Sequence, residues 1–286
     1  MAATVHPLSL GARAMVPHYR GHALEVISSG FLWVHKKSLY YIIALHSLTG
    51  RNTDTGKTIS KTGVWPDRID IHITKDGKSA SVRQSLYADN RPVWLVHPDK
   101  SLKCDIAALE ITVGSIEQIP LLKTVAVPLN RDKFDRDLPQ VGEDVFILGF
   151  PFKELQDCPI WKRGSVASEP EYAAETSKYI LVDTASLSGM SGAPVIRMRT
   201  FKFGPDGQIM VANGRPIPDF VGVYSGRMFA EEKLPPGKKP RETQLARVWP
   251  ANYLDEILNS KTIDTETEPP HMPVHPLADP VQIPET

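Results

Sequence analysis

From about residue 22 onward the chain is a succession of short apolar runs separated by turn signals, with no long helical periodicity among them. FLWVHKK and LYYIIAL meet at a KKS turn, preceded by ALEVISS and Gly30. RIDIHIT alternates apolar and polar residues and ends at KDGK, which suits a hairpin. SVRQSLY, PVWLVH, IAALEI and TVAVPL follow. After the polar, turn-rich NRDKFDRDLPQVGED the pattern resumes with DVFILGF, IWKRGSVAS, YILVDTA, APVIRM, GQIMVA and FVGVYSG. Short strands at this spacing predict an all-β barrel or sandwich and argue against βαβ units. At 286 residues, two half-domains sharing a cleft and one large β domain both fit.

The polar segment near residue 131 divides the chain. The reading is an N-terminal lead-in (1–21), a first β unit (22–130), a second (131–260) and a Pro-rich, disordered tail (261–286). One helix is expected, in WPANYLDEILNS. Pro250 suits its first position, and Tyr253, Leu254, Ile257 and Leu258 share a face.

Thirty-three basic residues balance 33 acidic ones, which removes the electrostatic case for a nucleic-acid or membrane-surface partner. No run approaches the roughly 20 apolar residues of a spanning helix. The first residues lack the charged start and apolar core of a secretory signal. Cys104 and Cys158 form neither a CxxC pair nor a metal-finger spacing. No disulfide framework, metal or cofactor is expected, and a reducing cytoplasm is the default compartment.

SLSGMSGAPV sets Ser191 among small residues on a turn. A serine hydroxyl is a poor nucleophile without a base, and the base needs an acid to hold its tautomer. His46 ends the run LYYIIAL and opens the polar loop HSLTGRNTDTG, where a rigid strand would deliver it to an open tip. His97 is the next candidate, while His72 reads as a solvent-facing strand residue. Asp105 precedes a strand and sits between Cys104 and Ile106, so a partly buried carboxylate there needs a donor such as an imidazole N–H. Asp144 competes but reads as an exposed strand entry. Taken singly, each of these is an ordinary strand-end residue. The order His, Asp, Ser is informative. An α/β-hydrolase would run Ser, acid, His and carry G-x-S-x-G, whereas every histidine after Ser191 lies in the tail.

Together these stretches resemble the bacterial trypsin-like serine peptidases, related in style to the high-temperature-requirement proteases. YYIIALHSLTG is similar to the strand leading to that family's histidine, CDIAALEI to its D-[IV]-A-x-L motif and GMSGAPV to its G-x-S-G-[GSA]-P motif. VGEDVFILGFPF, FVGVYSG and RVWPANYLDEIL also match, so the likeness spans about residues 22–260. It implies a chymotrypsin-like fold: two six-stranded antiparallel β-barrels, a cleft between them and a C-terminal helix. It implies a serine endopeptidase working through an acyl-enzyme, with His46, Asp105 and Ser191 as the triad. The backbone N–H groups of Gly189 and Ser191 would form the oxyanion hole, and Gly192 and Ala193 would avoid crowding behind the nucleophile. Ser225 falls where the family has a serine bonded to the acid. Tyr224, Ser225 and Gly226 would offer a strand to an extended peptide, and Ala185 would line the specificity pocket.

Two departures stand out. Met190 precedes the nucleophile where secreted members have an Asp, so activation by an ion pair with a freed N-terminus is not expected. Ala185 stands where trypsin has an acid, which points away from Lys or Arg specificity and towards small or apolar residues. The expected partner is a polypeptide substrate, with room for a regulatory protein that no residue marks. Alternatives are a catalytically quiet peptide-binding module on the same fold, and ester hydrolysis by the same machinery. Cys104 reads as structural, and the basic KLPPGKKPR as a solvated loop.

Overall fold

Strand pairing begins further towards the N-terminus than the sequence suggests. The structure, a computed structural model, describes residues 5–270 apart from 25, 60–63, 76–77, 112–137, 153–156, 173–177, 186, 204–207, 213, 215 and 230–241. The expected strand TVAVPL, most of the segment around residue 131, the basic KLPPGKKPR and residues 271–286 lie outside the described residues.

Residues 1–21 were expected as a lead-in. Instead Pro7–Gly11 forms a helical turn and Ala12–Tyr19 forms an inner strand of the first sheet. Pro17 discourages that reading of the sequence, because proline donates no ladder bond. It is tolerated because Ser28–His35 pairs only with Ala12 to Met15 on that side. The other neighbour, Arg68–Lys75, pairs with Met15 to His18.

The first sheet runs Lys78–Ser85, Arg68–Lys75, Ala12–Tyr19, Ser28–His35, Ser38–Ile43, Ala107–Glu110, Trp94–Leu95, with His22–Ala23 attached to Ala12–Tyr19. It curls but, among the described residues, does not close. The second sheet is a closed six-stranded barrel: Asp144–Gly149, Ile160–Val166, Ile180–Asp183, Glu242–Pro250, Ile217–Phe229, Pro194–Arg199. The all-β, chymotrypsin-like architecture with a C-terminal helix is therefore present, the first unit being, among the described residues, a curled sheet. The run GQIMVA stays out of the barrel and pairs with Phe201–Phe203 in a separate two-stranded sheet.

The continuous apolar runs have a physical reason. In Ser38–Ile43, Leu39, Tyr41 and Ile43 face the core inside the first sheet, while Tyr40 and Ile42 face a core shared with the second barrel. Phe31 and Trp33 join that shared core and pack on Phe220 at 5.4 and 5.0 Å between ring centres. A strand buried on both faces shows no alternation, and each large side chain so buried contributes about 1.5–3 kcal/mol. The helix Ala251–Ser260 closes the same core through Tyr253, Leu254, Ile257 and Leu258, the face the sequence marks.

The tail is also tied down over its first part. Residues 261–268 run beside the edge strand Trp94–Leu95, with Val96 N donating to Thr262 O at 2.9 Å and Asp264 N to Trp94 O at 3.1 Å. The Trp94 indole N–H, fully buried, donates to Asp264 Oδ2 at 3.1 Å. An open edge and a buried donor recruit a segment whose composition alone reads as disordered. Asp264→Ala is expected to strand that indole N–H and cost about 1–3 kcal/mol, read as a lowered urea midpoint. An unchanged midpoint would show that the strap adds nothing to stability.

Candidate active site

His46 does not sit in an open loop. The strand Ser38–Ile43 ends and the chain turns at once into a short helix, Leu45–Thr49, closed by Gly50 at φ 63°. This turn presents both the His46 amide and its ring to Asp105. Asp105, 2 % exposed, lies just before Ala107–Glu110, which pairs with Ser38–Ile43. Its Oδ1 accepts from His46 N at 2.8 Å and its Oδ2 is 2.6 Å from His46 Nδ1. Ser225, also buried, donates its hydroxyl to the same Oδ2 at 2.6 Å. Three donors on one buried carboxylate satisfy it as an anion and place the imidazole with Nε2 facing away.

Burial is the largest single influence on His46 and pushes its pKa down. The charge and hydrogen bond of Asp105 push it up and prevail, while Arg247 works against them. The net direction is above the ordinary value of 6.5.

Ser191 lies on a turn clamped between the two sheets. Its carbonyl accepts from Ser29 N and from Ser28 Oγ, both at 3.0 Å. Ser28 Oγ also meets Ser47 Oγ at 2.8 Å, one residue after His46. Ser29 Oγ donates to Gly189 O at 2.7 Å and accepts from Phe150 N at 2.8 Å. On the other side Gly192 N donates to Tyr224 O and Tyr224 N to Ala193 O. Gly192 has φ 87°, and a Cβ there would collide with Ser29 O and lie 2.8 Å from Ala44 N. The Ser191 turn therefore abuts the strand end that delivers His46. Among the described residues no hydrogen bond joins Ser191 Oγ to His46, and neither the Gly189 nor the Ser191 amide has an acceptor.

Gly189 has φ 88°, and a Cβ there would approach Phe150 O at 2.7 Å, so the turn is built for glycine. Met190 is fully buried in the second barrel's core, an apolar anchor where an acid would need a charged partner.

The other sequence candidates divide. Gly226 borders open space, and a bulge between Tyr224 and Gly226 takes Ser225 out of the ladder register. Tyr224 does not offer itself to a peptide: its ring is buried and both its backbone groups bind the Gly192–Ala193 turn. Ala185 stands exposed two residues past Ile180–Asp183. His97 is buried against the closing helix, with Nε2 2.9 Å from Glu256 Oε2 and Nδ1 accepting from Asp99 N. Asp144 is exposed and held below the usual carboxylate range by Arg163. His72, half-buried, lies on the outer face of its strand, opposite Ile71 and Ile73, with Nδ1 3.4 Å from Ser81 Oγ in an exposed contact. Cys104 is buried, and burial drives its thiol well above the ordinary range, so it is held protonated. The bracing serines Ser28, Ser29 and Ser47 escape sequence reading, since only the fold brings VISSG against GMSG.

A model of the trypsin-like peptidase domain matches residues 29–203. The chain belongs to the trypsin-like peptidase domain family. Over 89 % of its length this peptidase domain is similar to 96 % of the crystal structure of the protease Anisep from Arthrobacter nicotinovorans, at 12 % identity and a TM-score of 0.48. No curated protein matches the chain. Among the described residues of this trypsin-like domain, no helix is long and apolar enough to cross a membrane, and no group of three His, Cys, Asp or Glu is placed to hold a metal.

Proposed function

We propose that this domain is a serine endopeptidase. Ser191 Oγ attacks the peptide carbonyl, His46 Nε2 takes its proton and returns it to the leaving amine, and Asp105 holds the ring and stabilises its charged form. The Gly189 and Ser191 amides receive the oxyanion, each such donor contributing about 2.7–4 kcal/mol in the transition state. The observation that carries the reading is the His46–Asp105–Ser225 network, at 2.6 Å on both bonds to Oδ2, beside a turn whose two amides have no acceptor among the described residues. A fluorophosphonate probe is expected to label the wild type and leave Ser191→Ala unlabelled. A well-folded wild type that resists the probe overturns the proposal.

The missing bond between Ser191 Oγ and His46 favours one competing reading, a quiet peptide-binding module. Catalytic hydrogen bonds in unliganded sites are often long and tighten only on substrate. Digestion of a peptide library separates the two: new termini support the peptidase, binding without cleavage supports the module.

The base must be neutral to accept a proton. Since the His46 pKa lies above its ordinary value, kcat/KM is expected to rise with pH through a midpoint above 6.5 and to fall on acidification. A midpoint below 6.5 would contradict the Asp105 contact as the dominant interaction.

A further inference from the structure

Arg247 belongs to the second barrel, in Glu242–Pro250, yet its Nη1 crosses to Asp54 Oδ2 at 2.5 Å in the loop that follows the His46 helix. Its guanidinium lies over the Tyr179 ring at 5.7 Å, which orients the planar group. Its side chain is 16 % exposed, and its charge is felt at the His46 ring. Its ladder partner is Gly226, where a Cβ would meet nothing within 4 Å, so the space beside it is open. Only Ser225 separates Gly226 from Tyr224, which secures the Ser191 turn. A fixed cation thus stands where the second barrel meets the loop after the His46 helix, next to the open space beside Gly226.

Asp54 supplies a carboxylate to that cation, but only at Nη1. Nε is buried without a partner, and among the described residues Nη2 has no acceptor. Asp54 sits on an exposed turn held by Asn52 Oδ1, and its side chain is 49 % exposed. The Asp54 partner is solvated and on a surface turn, so a competing carboxylate can take its place on the guanidinium while Asp54 regains water. Lys103 Nζ, 2.6 Å from Asp54 O, keeps its loop in place. The planar fork of Arg matches a carboxylate better than any other side-chain cation.

We propose that Arg247 is a specificity-determining residue that selects peptides carrying aspartate or glutamate within a few residues of the scissile bond, the substrate carboxylate replacing that of Asp54. This rests on the endopeptidase reading above. Asp54 is the occupant of the empty cleft, and the substrate acid is the occupant of the working one.

The test is digestion of a peptide library, read by sequencing the new termini on both sides of each cut, with fluorophosphonate labelling of the wild type in parallel. The wild type is expected to enrich Asp and Glu at one fixed distance from the cut. Arg247→Gln is expected to lower the ratio of acidic to neutral substrates, in kcat/KM, by about ten- to a hundredfold, the range of a charge-assisted hydrogen bond. Arg247 lies in a barrel strand, so circular dichroism accompanies that variant. Asp54→Asn, on an exposed turn, provides an independent arm: removing the competitor should raise the same ratio several-fold. A labelled wild type without acidic enrichment, or a ratio unmoved in Asp54→Asn and in folded Arg247→Gln, overturns the proposal alone. A wild type that is neither labelled nor able to cleave overturns the endopeptidase reading and this proposal with it.

Discussion

Asp105→Asn is expected to lower kcat for peptide cleavage by about 10⁴ while leaving the fold intact. Asp105 is 2 % exposed and receives His46 N on Oδ1, with His46 Nδ1 and Ser225 Oγ on Oδ2. An asparagine of the same shape can keep its oxygen towards the His46 amide and turn its NH₂ towards Nδ1. Nδ1 then has to accept, which moves the imidazole proton to Nε2. In the mechanism proposed above, that nitrogen could then no longer take a proton from Ser191. The loss should fall mainly on kcat, since the carboxylate is buried against His46 and Ser225. The measurement is steady-state hydrolysis of one peptide by both proteins, with thermal melts to establish folding. The pH profile gives a second readout: without the carboxylate, the influence that lifts the His46 pKa is gone, so residual activity should have its acid limb at lower pH. A loss below tenfold, or an unmoved acid limb, would mean that Asp105 only braces the His46 helix.

Gly192→Ala should be the most damaging single-methyl change near the site, at about 2–4 kcal/mol. Two separate costs combine. At φ 87° the left-handed backbone costs any residue with a Cβ about 1–2 kcal/mol. The added methyl also runs into Ser29 O and the Ile43–Ala44 backbone, which have ladder and turn bonds of their own and little freedom to retreat. Relief requires pulling the Ser191 turn off the first sheet, breaking the Ser29 N to Ser191 O bond and the Ser28 Oγ bond to the same carbonyl. Activity should therefore fall with stability, because those bonds hold the Ser191 turn against the strand end that leads into the His46 helix. Urea unfolding measures the first effect and peptide cleavage the second. A variant as stable and as active as the wild type would show that the two sheets do not meet as tightly as described.

Both effects depend on convergence that was only partly legible in the residues. The motifs around His46, Asp105 and Ser191 are short and each needs a particular residue type at a particular spacing, so they can be read along the chain. Ser225 was legible for the same reason, and its bond to Asp105 is present. The strand Ala12–Tyr19 was not, because Pro17 hides it and its pairing partners lie up to 56 residues away, as in Met15 with Ile71. The strap at 261–268 was hidden by a polar composition whose bonds go to a distant edge strand.

What the amino-acid order alone determined about this protein is its all-β class and its closing helix, since those follow from local periodicity and side-chain type, and it nominated the residues proposed here for acid, base and nucleophile chemistry. Tertiary structure decided which of them meet. It set His46 on a helical turn rather than a loop, occupied the backbone of Tyr224, hung Asp54 on Arg247 and, among the described residues, left the Gly189 and Ser191 amides without an acceptor. Contacts between residues this far apart are chosen by packing two sheets against one shared core, and no stretch of neighbouring residues carries that information.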